Sequence, residues 1–238
     1  MKSLYIVTGS HTGLGKSLVT NLLKDNNNLV IGISRHNDIV HPQFQFISLD
    51  LSDVESVKQF SFPNIQDFKN VVLINNAGII GEITSLEKVS IENIESIMTV
   101  NYMAVMILAS LFIKTYQEAK VQKTIITISS GAATSPYPSW ANYCASKAAI
   151  EMLMKCIVEE QKNKEFPISA FAIAPGVVDT GMQQQIRNTD ISEFEFKPKF
   201  LALYEEGKLY KPDDVADKII EVSQNPFDFN DTIFRIVI

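Results

Sequence analysis

Tyr143 and Lys147 stand four residues apart in a stretch, Trp140 to Lys162, whose apolar residues recur with a helical period. Their side chains therefore project from one helix face. A phenol with a pKa of about 10 is a poor proton carrier at neutral pH, and an ammonium beside it favours the phenolate and draws that pKa toward the working range. The pair is a candidate for proton transfer, with Tyr143 as the donor. Taken alone, Tyr-x-x-x-Lys is a common pattern on exposed helices, so its meaning depends on its neighbours. Ser130, in Ile128-Ser129-Ser130-Gly131-Ala132, closes an apolar β-rich run upstream of the tyrosine. Its hydroxyl could hold a carbonyl oxygen beside the phenol and stabilise charge developing there. Ser129 is expected to face the other way, because neighbours on a strand alternate sides.

A second group of residues could hold a phosphate. Thr8-Gly9-Ser10-His11-Thr12-Gly13-Leu14-Gly15 follows the first apolar run and opens a helical pattern containing Leu14, Leu18, Leu22 and Leu23. Glycines let the backbone turn sharply and approach a pyrophosphate, while a helix N-terminus offers unpaired N–H groups and a partial positive charge. The glycine spacing is Gly-x-x-x-Gly-x-Gly rather than the Gly-x-Gly-x-x-Gly of many dinucleotide-binding folds.

The elements that must position these residues follow from the alternation of patterns. Short β-rich runs occur at Leu4–Val7, Leu29–Ile33, Phe44–Leu49, Val71–Ile74, Thr124–Ile128, Ile168–Ile173 and Thr232–Ile238, with helical patterns between most of them. Runs apolar at nearly every position suit strands covered on both faces, and parallel neighbours need crossovers of the lengths found here. The expected fold is α/β, a three-layer Rossmann-type sandwich with a mostly parallel seven-stranded sheet, in a single domain over residues 1–238. Long helices are expected over Ile91–Ala119 and Trp140–Lys162, and Pro212-Asp213-Asp214 reads as a helix start. Residues 182–211 mix Phe194, Phe196, Phe200 and Tyr204 with Lys, Glu and Pro198 and fit no strand. This excursion is expected to be either an irregular surface flap packing its own aromatics or a wall for a substrate.

Composition narrows the function classes. A formal net charge of -6 disfavours attraction to nucleic acid or an anionic membrane, so any anion site must be built locally. No run of about 18 uninterrupted apolar residues and no signal-peptide pattern occurs, which makes a cytoplasmic location the expectation. Cys144 and Cys156 lie too far apart within one helix to bridge and are expected to be reduced core thiols. His11, His36 and His41 lack metal-ligand spacing, so no metal is expected.

On Thr8-Gly9-x-x-x-Gly13-x-Gly15, Asn75-Asn76-Ala77-Gly78, Ser130 and Tyr143-x-x-x-Lys147, in that order and with a matching serine-to-tyrosine spacing, the chain resembles the short-chain dehydrogenase/reductase family. The resemblance implies a carbonyl reductase with a catalytic tetrad of Asn101, Ser130, Tyr143 and Lys147. It also implies a nicotinamide cofactor held by Gly9, Ser10, His11, Thr12, Gly13, Leu14 and Gly15. Asp50 and Leu51 would lie beside the adenine; Asn76, Ala77 and Gly78 would line the cleft. Pro175, Gly176, Val178 and Thr180 would contact the nicotinamide end, and Tyr143 and Lys147 its ribose. Asn101 matches the family asparagine that holds a water beside the lysine. At the end of the second strand, Ser34 stands where an NAD-preferring relative has an acid, and Arg35 follows. An arginine there can pair with a 2′-phosphate, which favours NADP(H). Against this, Thr12 occupies a position that is basic in many NADPH-preferring relatives, and Asp38 could reach the ribose instead.

The stretches Ala174–Arg187, Glu205–Leu209 and Pro136–Cys144 are similar to the benzil reductases that form (S)-benzoin, near the sepiapterin reductases. That similarity implies a compact aromatic or vicinal diketone as substrate and a homodimer or homotetramer through the two long helices. A 3-oxoacyl-carrier-protein or pterin reductase with the same tetrad, or a non-catalytic NADPH-binding regulator, are the alternatives.

Overall fold

The computed structural model describes residues 2–238. Seven strands form one sheet: β1 (Lys2–Thr8), β2 (Asn28–Ser34), β3 (Phe44–Ser48), β4 (Phe68–Asn75), β5 (Gln122–Ile128), β6 (Ser169–Ala174) and β7 (Ile233–Arg235). Their spatial order is β3-β2-β1-β4-β5-β6-β7, and every pairing is parallel, so the expected mostly parallel sheet is wholly so. The last strand is shorter than the apolar run Thr232–Ile238 that announces it.

Alternation along the strands divides the core in two. Leu4, Ile6, Ile31, Ile33, Leu73 and Ile125 point to one face, where α4 (Ala104–Tyr116) and α5 (Ala141–Gln161) cover them. Tyr5, Val7, Val30, Val72, Ile74 and Ile126 point to the other, under α1 (Gly13–Leu22) and α8 (Pro212–Gln224). Each layer can dehydrate a whole sheet face, which is why the strands read as unbroken apolar runs. The remaining helices are α2, a short turn at Val54–Lys58, α3 (Ile91–Met98), α6 (Gly181–Asn188) and α7 (Lys197–Glu205).

Three expectations need correction. The long helix from Ile91 is not uniform: α3 and α4 are joined by a π-helical turn, Thr99–Met103, which carries Asn101. By length and composition alone Ile91–Tyr116 could cross a membrane; here its Ile97, Leu108, Phe112 and Tyr116 are buried in the core. The excursion at 182–211 is not irregular, because α6 and α7 make up much of it. Its Phe194 and Phe200 are buried against Trp140 rather than only against each other. The two cysteines are free but not core residues: Cys144 is half-buried and Cys156 exposed, since Cys156 lies on the outer side of α5.

Candidate functional site

Strand order reverses direction between β1 and β4, and the sequence-predicted residues gather at the carboxyl ends of β1, β4, β5 and β6 around that point. In open parallel sheets this is where a crevice forms. Thr8 ends β1, and the turn beyond it places Gly9 at φ +67° and Gly13 at φ +52°, left-handed conformations that favour glycine. Gly15 is needed for space: a Cβ there would lie 2.0 Å from the Gly9 carbonyl oxygen. The turn thus lets α1 approach the sheet end-on. Thr12, its N-cap residue, makes no side-chain cap, so the first-turn N–H groups of this ten-residue helix are left for another acceptor.

Asn76 secures that turn. Its backbone N–H donates to Thr8 Oγ1 at 3.0 Å, and its Nδ2 donates to the Thr8 carbonyl at 3.0 Å and the Gly9 carbonyl at 3.3 Å. Ala77 also donates to Thr8 Oγ1. The amide of Asn76 is therefore committed to holding β4 and the glycine turn together. A Cβ on Gly78 would stand 3.4 Å from both Lys147 Nζ and Asn101 Oδ1, which locates these three residues beside one another. On the far wall, Thr180 Cγ2 would be 3.1 Å from a Cβ on Gly13. Pro175 and Gly176 lead there from β6, and Val178 bridges to Tyr210.

At the other end of the crevice, Ser34 Oγ lies 3.2 Å from Ser10 Oγ and donates to the His36 carbonyl. Arg35 is exposed beside it. Asp38 is engaged elsewhere: Lys16 Nζ is 2.5 Å from one oxygen and His11 Nδ1 3.7 Å from the other. Asp50 accepts from the backbone and hydroxyl of Ser52, bonds that hold its pKa below the usual carboxylate range, and Leu51 is buried.

Tyr143 is 6% exposed and Lys147 4%. Burial pushes the Tyr143 phenol up to about 12, with hydrogen bonding to Ser130 working against it. Burial also draws Lys147 down to about 8. The expected lowering of the tyrosine pKa by Lys147 is not seen, because burial dominates the phenol. Lys147 Nζ sits 5.6 Å from the centre of the Tyr143 ring and donates to the Ile128 carbonyl at 2.8 Å. A neutral buried phenol is the form a proton donor requires.

Asn101 is 1% exposed. Its Oδ1 accepts from Ile79 N–H at 2.8 Å, and its Nδ2 donates to the Ile79 carbonyl at 2.8 Å and to Ser146 Oγ at 3.1 Å. The side chain is spent on bracing the loop after β4 against α5, so a water beside the lysine would have to use backbone from the π-helical turn.

An aromatic cluster packs against Tyr143, with Phe194 and Phe200 drawn from residues 182–211. Trp140 stacks on Phe194 with centroids 4.8 Å apart and meets Tyr143 edge-on at 5.9 Å. Ser139, in a left-handed conformation at φ 70°, donates to the Glu193 carbonyl at 2.6 Å and ties the segment before α5 to the excursion. Met182 Sδ lies 4.0 Å from the Tyr143 hydroxyl. Sequence reasoning gave Met182 and Ser139 no role of their own and did not pair Asp38 with Lys16.

A parallel sheet whose switch point gathers a glycine turn, a buried Tyr-x-x-x-Lys pair and a strand-end serine defines a nicotinamide-dependent oxidoreductase. The short chain dehydrogenase family model matches residues 3–191, and the chain belongs to that family. It is 40% identical over 227 residues to a benzil reductase ((S)-benzoin forming) of Bacillus cereus, covering 90% of this chain and 91% of that one. A Bacillus subtilis protein of the same description is 30% identical over 224 residues, with 92% of each chain covered. Among solved structures, ElxO with NADP bound superposes with a TM-score of 0.79 at 25% identity, covering 99% of this chain and 97% of the other.

Proposed function

We propose that this chain reduces an aromatic or vicinal diketone, such as benzil to (S)-benzoin, with NADPH, using Asn101, Ser130, Tyr143 and Lys147 as its tetrad. The observation that carries the reading is the meeting of a buried neutral phenol, its serine partner and a buried lysine directly beneath an apolar aromatic wall. The bound cofactor would supply a hydride to the carbonyl carbon. Tyr143 would give its phenolic proton to the carbonyl oxygen. Ser130 would fix that oxygen beside the phenol and share the charge that builds on it. Lys147 would hold the ribose through Nζ, which already lies at the rim of β5. Residues 9–15 would hold the pyrophosphate, with α1 presenting its N–H groups.

Preference for NADPH is supported by Arg35, exposed at the end of β2, and by the neutralisation of Asp38 by Lys16. A carboxylate so engaged is a weaker acceptor for ribose hydroxyls and repels a 2′-phosphate less. The aromatic cluster and the two benzil reductase relatives support the substrate class. We further propose one catalytic domain, cytoplasmic, that forms a homodimer or homotetramer through α4 and α5. These helices leave Met106 and Met152 exposed.

The deciding experiment is NADPH oxidation against benzil, 1-phenyl-1,2-propanedione, a pterin and an acyl thioester. Turnover highest with the diketones is expected. Turnover with the acyl thioester or the pterin alone would replace the substrate class, and cofactor binding without turnover on any of them would favour a regulator.

A further inference from the structure

Three successive residues at the end of β5 are each fastened to a different turn of α5, and the fastening of Ser129 has no part in the proposed chemistry. The helix runs back along the strand, so the side chains of Thr127 and Ser129 meet it at falling numbers, 154 and then 151. Thr127 Oγ1 faces Met154 Sδ at 3.6 Å, Ser129 Oγ donates to Glu151 Oε1 at 2.6 Å, and the Ile128 carbonyl accepts from Lys147 at 2.8 Å. Ser130 stands near enough to Tyr143 to work against the rise in the phenol's pKa. Residues 143, 147 and 151 form one stripe of α5, spaced by four, on the side turned to the sheet. Ser129 is 2% exposed and Glu151 6%.

A carboxyl group so far from water is costly to keep unless its bonding is valuable. An apolar residue in its place would pack as well, as Met154 does one turn on. What an apolar residue could not do is fix the direction of Ser129, and with it the peptide planes on either side. One of those planes carries the carbonyl that receives Lys147; the other leads to Ser130, which caps the Gly131–Ala133 turn through its own hydroxyl. Ser129 N–H is bound in turn to the Ile173 carbonyl of β6 at 2.8 Å.

We infer that Glu151 is a positioning residue, which through Ser129 sets the register of β5 on α5 and thereby the places of Ser130 and Lys147 about Tyr143. This rests on the proposed roles of those three residues. The effect runs through geometry. Ångström-scale misplacement of reacting groups costs up to about a hundredfold in rate.

The test compares Ser129→Ala, Glu151→Ala, Glu151→Gln and the double alanine variant. In the diketone assay, both single alanine variants are expected to lose kcat by about ten- to a hundredfold, with KM for NADPH nearly unchanged. Glu151→Gln keeps an acceptor for Ser129 and is expected to restore most of the rate, and the double variant should be no worse than Glu151→Ala. A second readout needs no turnover. Acetylation of Lys147 by an amine-reactive ester, followed by mass spectrometry, should quicken several-fold in both alanine variants relative to Lys123, which is buried on β5 and reports general loosening. Wild-type kcat in Ser129→Ala, a glutamine variant as slow as the alanine one, or unchanged labelling of Lys147 relative to Lys123 would overturn the inference. If wild type turned over nothing, the proposed function would fail while the labelling still decided this point. Should Glu151→Ala not fold, Ser129→Ala, which removes a single hydroxyl, carries the test.

Discussion

Replacing Gly15 by alanine puts a methyl carbon 2.0 Å from the Gly9 carbonyl oxygen and 2.5 Å from Asn76 Nδ2, where real contacts of this kind stay beyond 3.0 Å. The side-chain amide could swing away, but the carbonyl is backbone, so α1 and the glycine turn must part by at least about 1 Å. Overpacking of this kind costs roughly 1–3 kcal/mol, which in a chain of this size lowers Tm by roughly 3 to 10 °C. The functional loss should be larger in proportion. The first-turn N–H groups and the turn amides are moved relative to each other, and loss of one charge-assisted hydrogen bond to a pyrophosphate weakens binding by one to two decades, or roughly 1.5–3 kcal/mol. Calorimetric or fluorescence titration of NADPH, with thermal unfolding in parallel, measures both. Gly181→Ala is the control, because nothing lies within 4 Å of a Cβ there and its φ is not left-handed. It should leave cofactor affinity unchanged and raise Tm slightly, as expected for alanine in a helix. Unaltered NADPH affinity in Gly15→Ala would refute the claim that this turn and α1 together form the phosphate cradle.

Tyr143→Phe should lower diketone reduction by about 10² to 10⁴ while NADPH still binds, since the ring keeps its contact with Trp140; retention of most activity would exclude this phenol as donor. Arg35→Ala should weaken NADPH by one to two decades and NADH hardly at all, as shown by titrating both cofactors, through loss of roughly 1.5–3 kcal/mol of phosphate pairing. Lys147, drawn down to about 8, binds fewer protons folded than unfolded between pH 8 and its ordinary range, so its contribution to stability rises as pH climbs through that window. Lys147→Met should therefore exceed wild type in unfolding free energy by roughly 2 to 3 kcal/mol below pH 8, a gap that closes toward pH 10; denaturant melts across the pH range measure it. Phe194→Ala opens a void beside Trp140 and should raise KM for the diketone without changing NADPH affinity, with faster proteolysis at residues 182–211 as the structural readout.

The sheet was readable because burial on both faces leaves unbroken apolar runs, and because alternation sends Leu4 and Ile6 one way and Tyr5 and Val7 the other. Tyr143 and Lys147 were readable as a pair because helical pitch alone brings them together. Ser129 was expected to turn from its neighbour for the equally local reason of strand alternation, and it does so, toward Glu151. What escaped depends on distant partners. The asparagine at 101 gave no sign that its amide would be consumed by Ile79 and Ser146, since that depends on where the loop after β4 passes. The helices within residues 182–211 were hidden because they are short and their apolar side chains answer to Trp140 and Tyr137 from another part of the chain. Cys156 read as a core thiol from residue type, whereas its place on α5 is decided by which side of that helix meets the sheet.

The wide turn at Thr99–Met103 makes the number of residues in it a determinant of how the whole of α4 faces the sheet. An α-helix advances about 100° per residue and the wider turn less, so tightening Thr99–Met103 to ordinary pitch without removing a residue would rotate all of α4 about its axis by roughly the angle of one residue. Leu108 and Phe112, now buried against the sheet, would swing toward solvent, and other flanks of the helix would turn inward. A single codon lost here can be taken up by closing the wide turn to ordinary pitch, at the expense of the place of Asn101, whereas a codon gained would misalign thirteen downstream residues at once. An insertion scan through the chain should accordingly find these few positions as intolerant as the glycine turn, although most of them touch neither cofactor nor substrate.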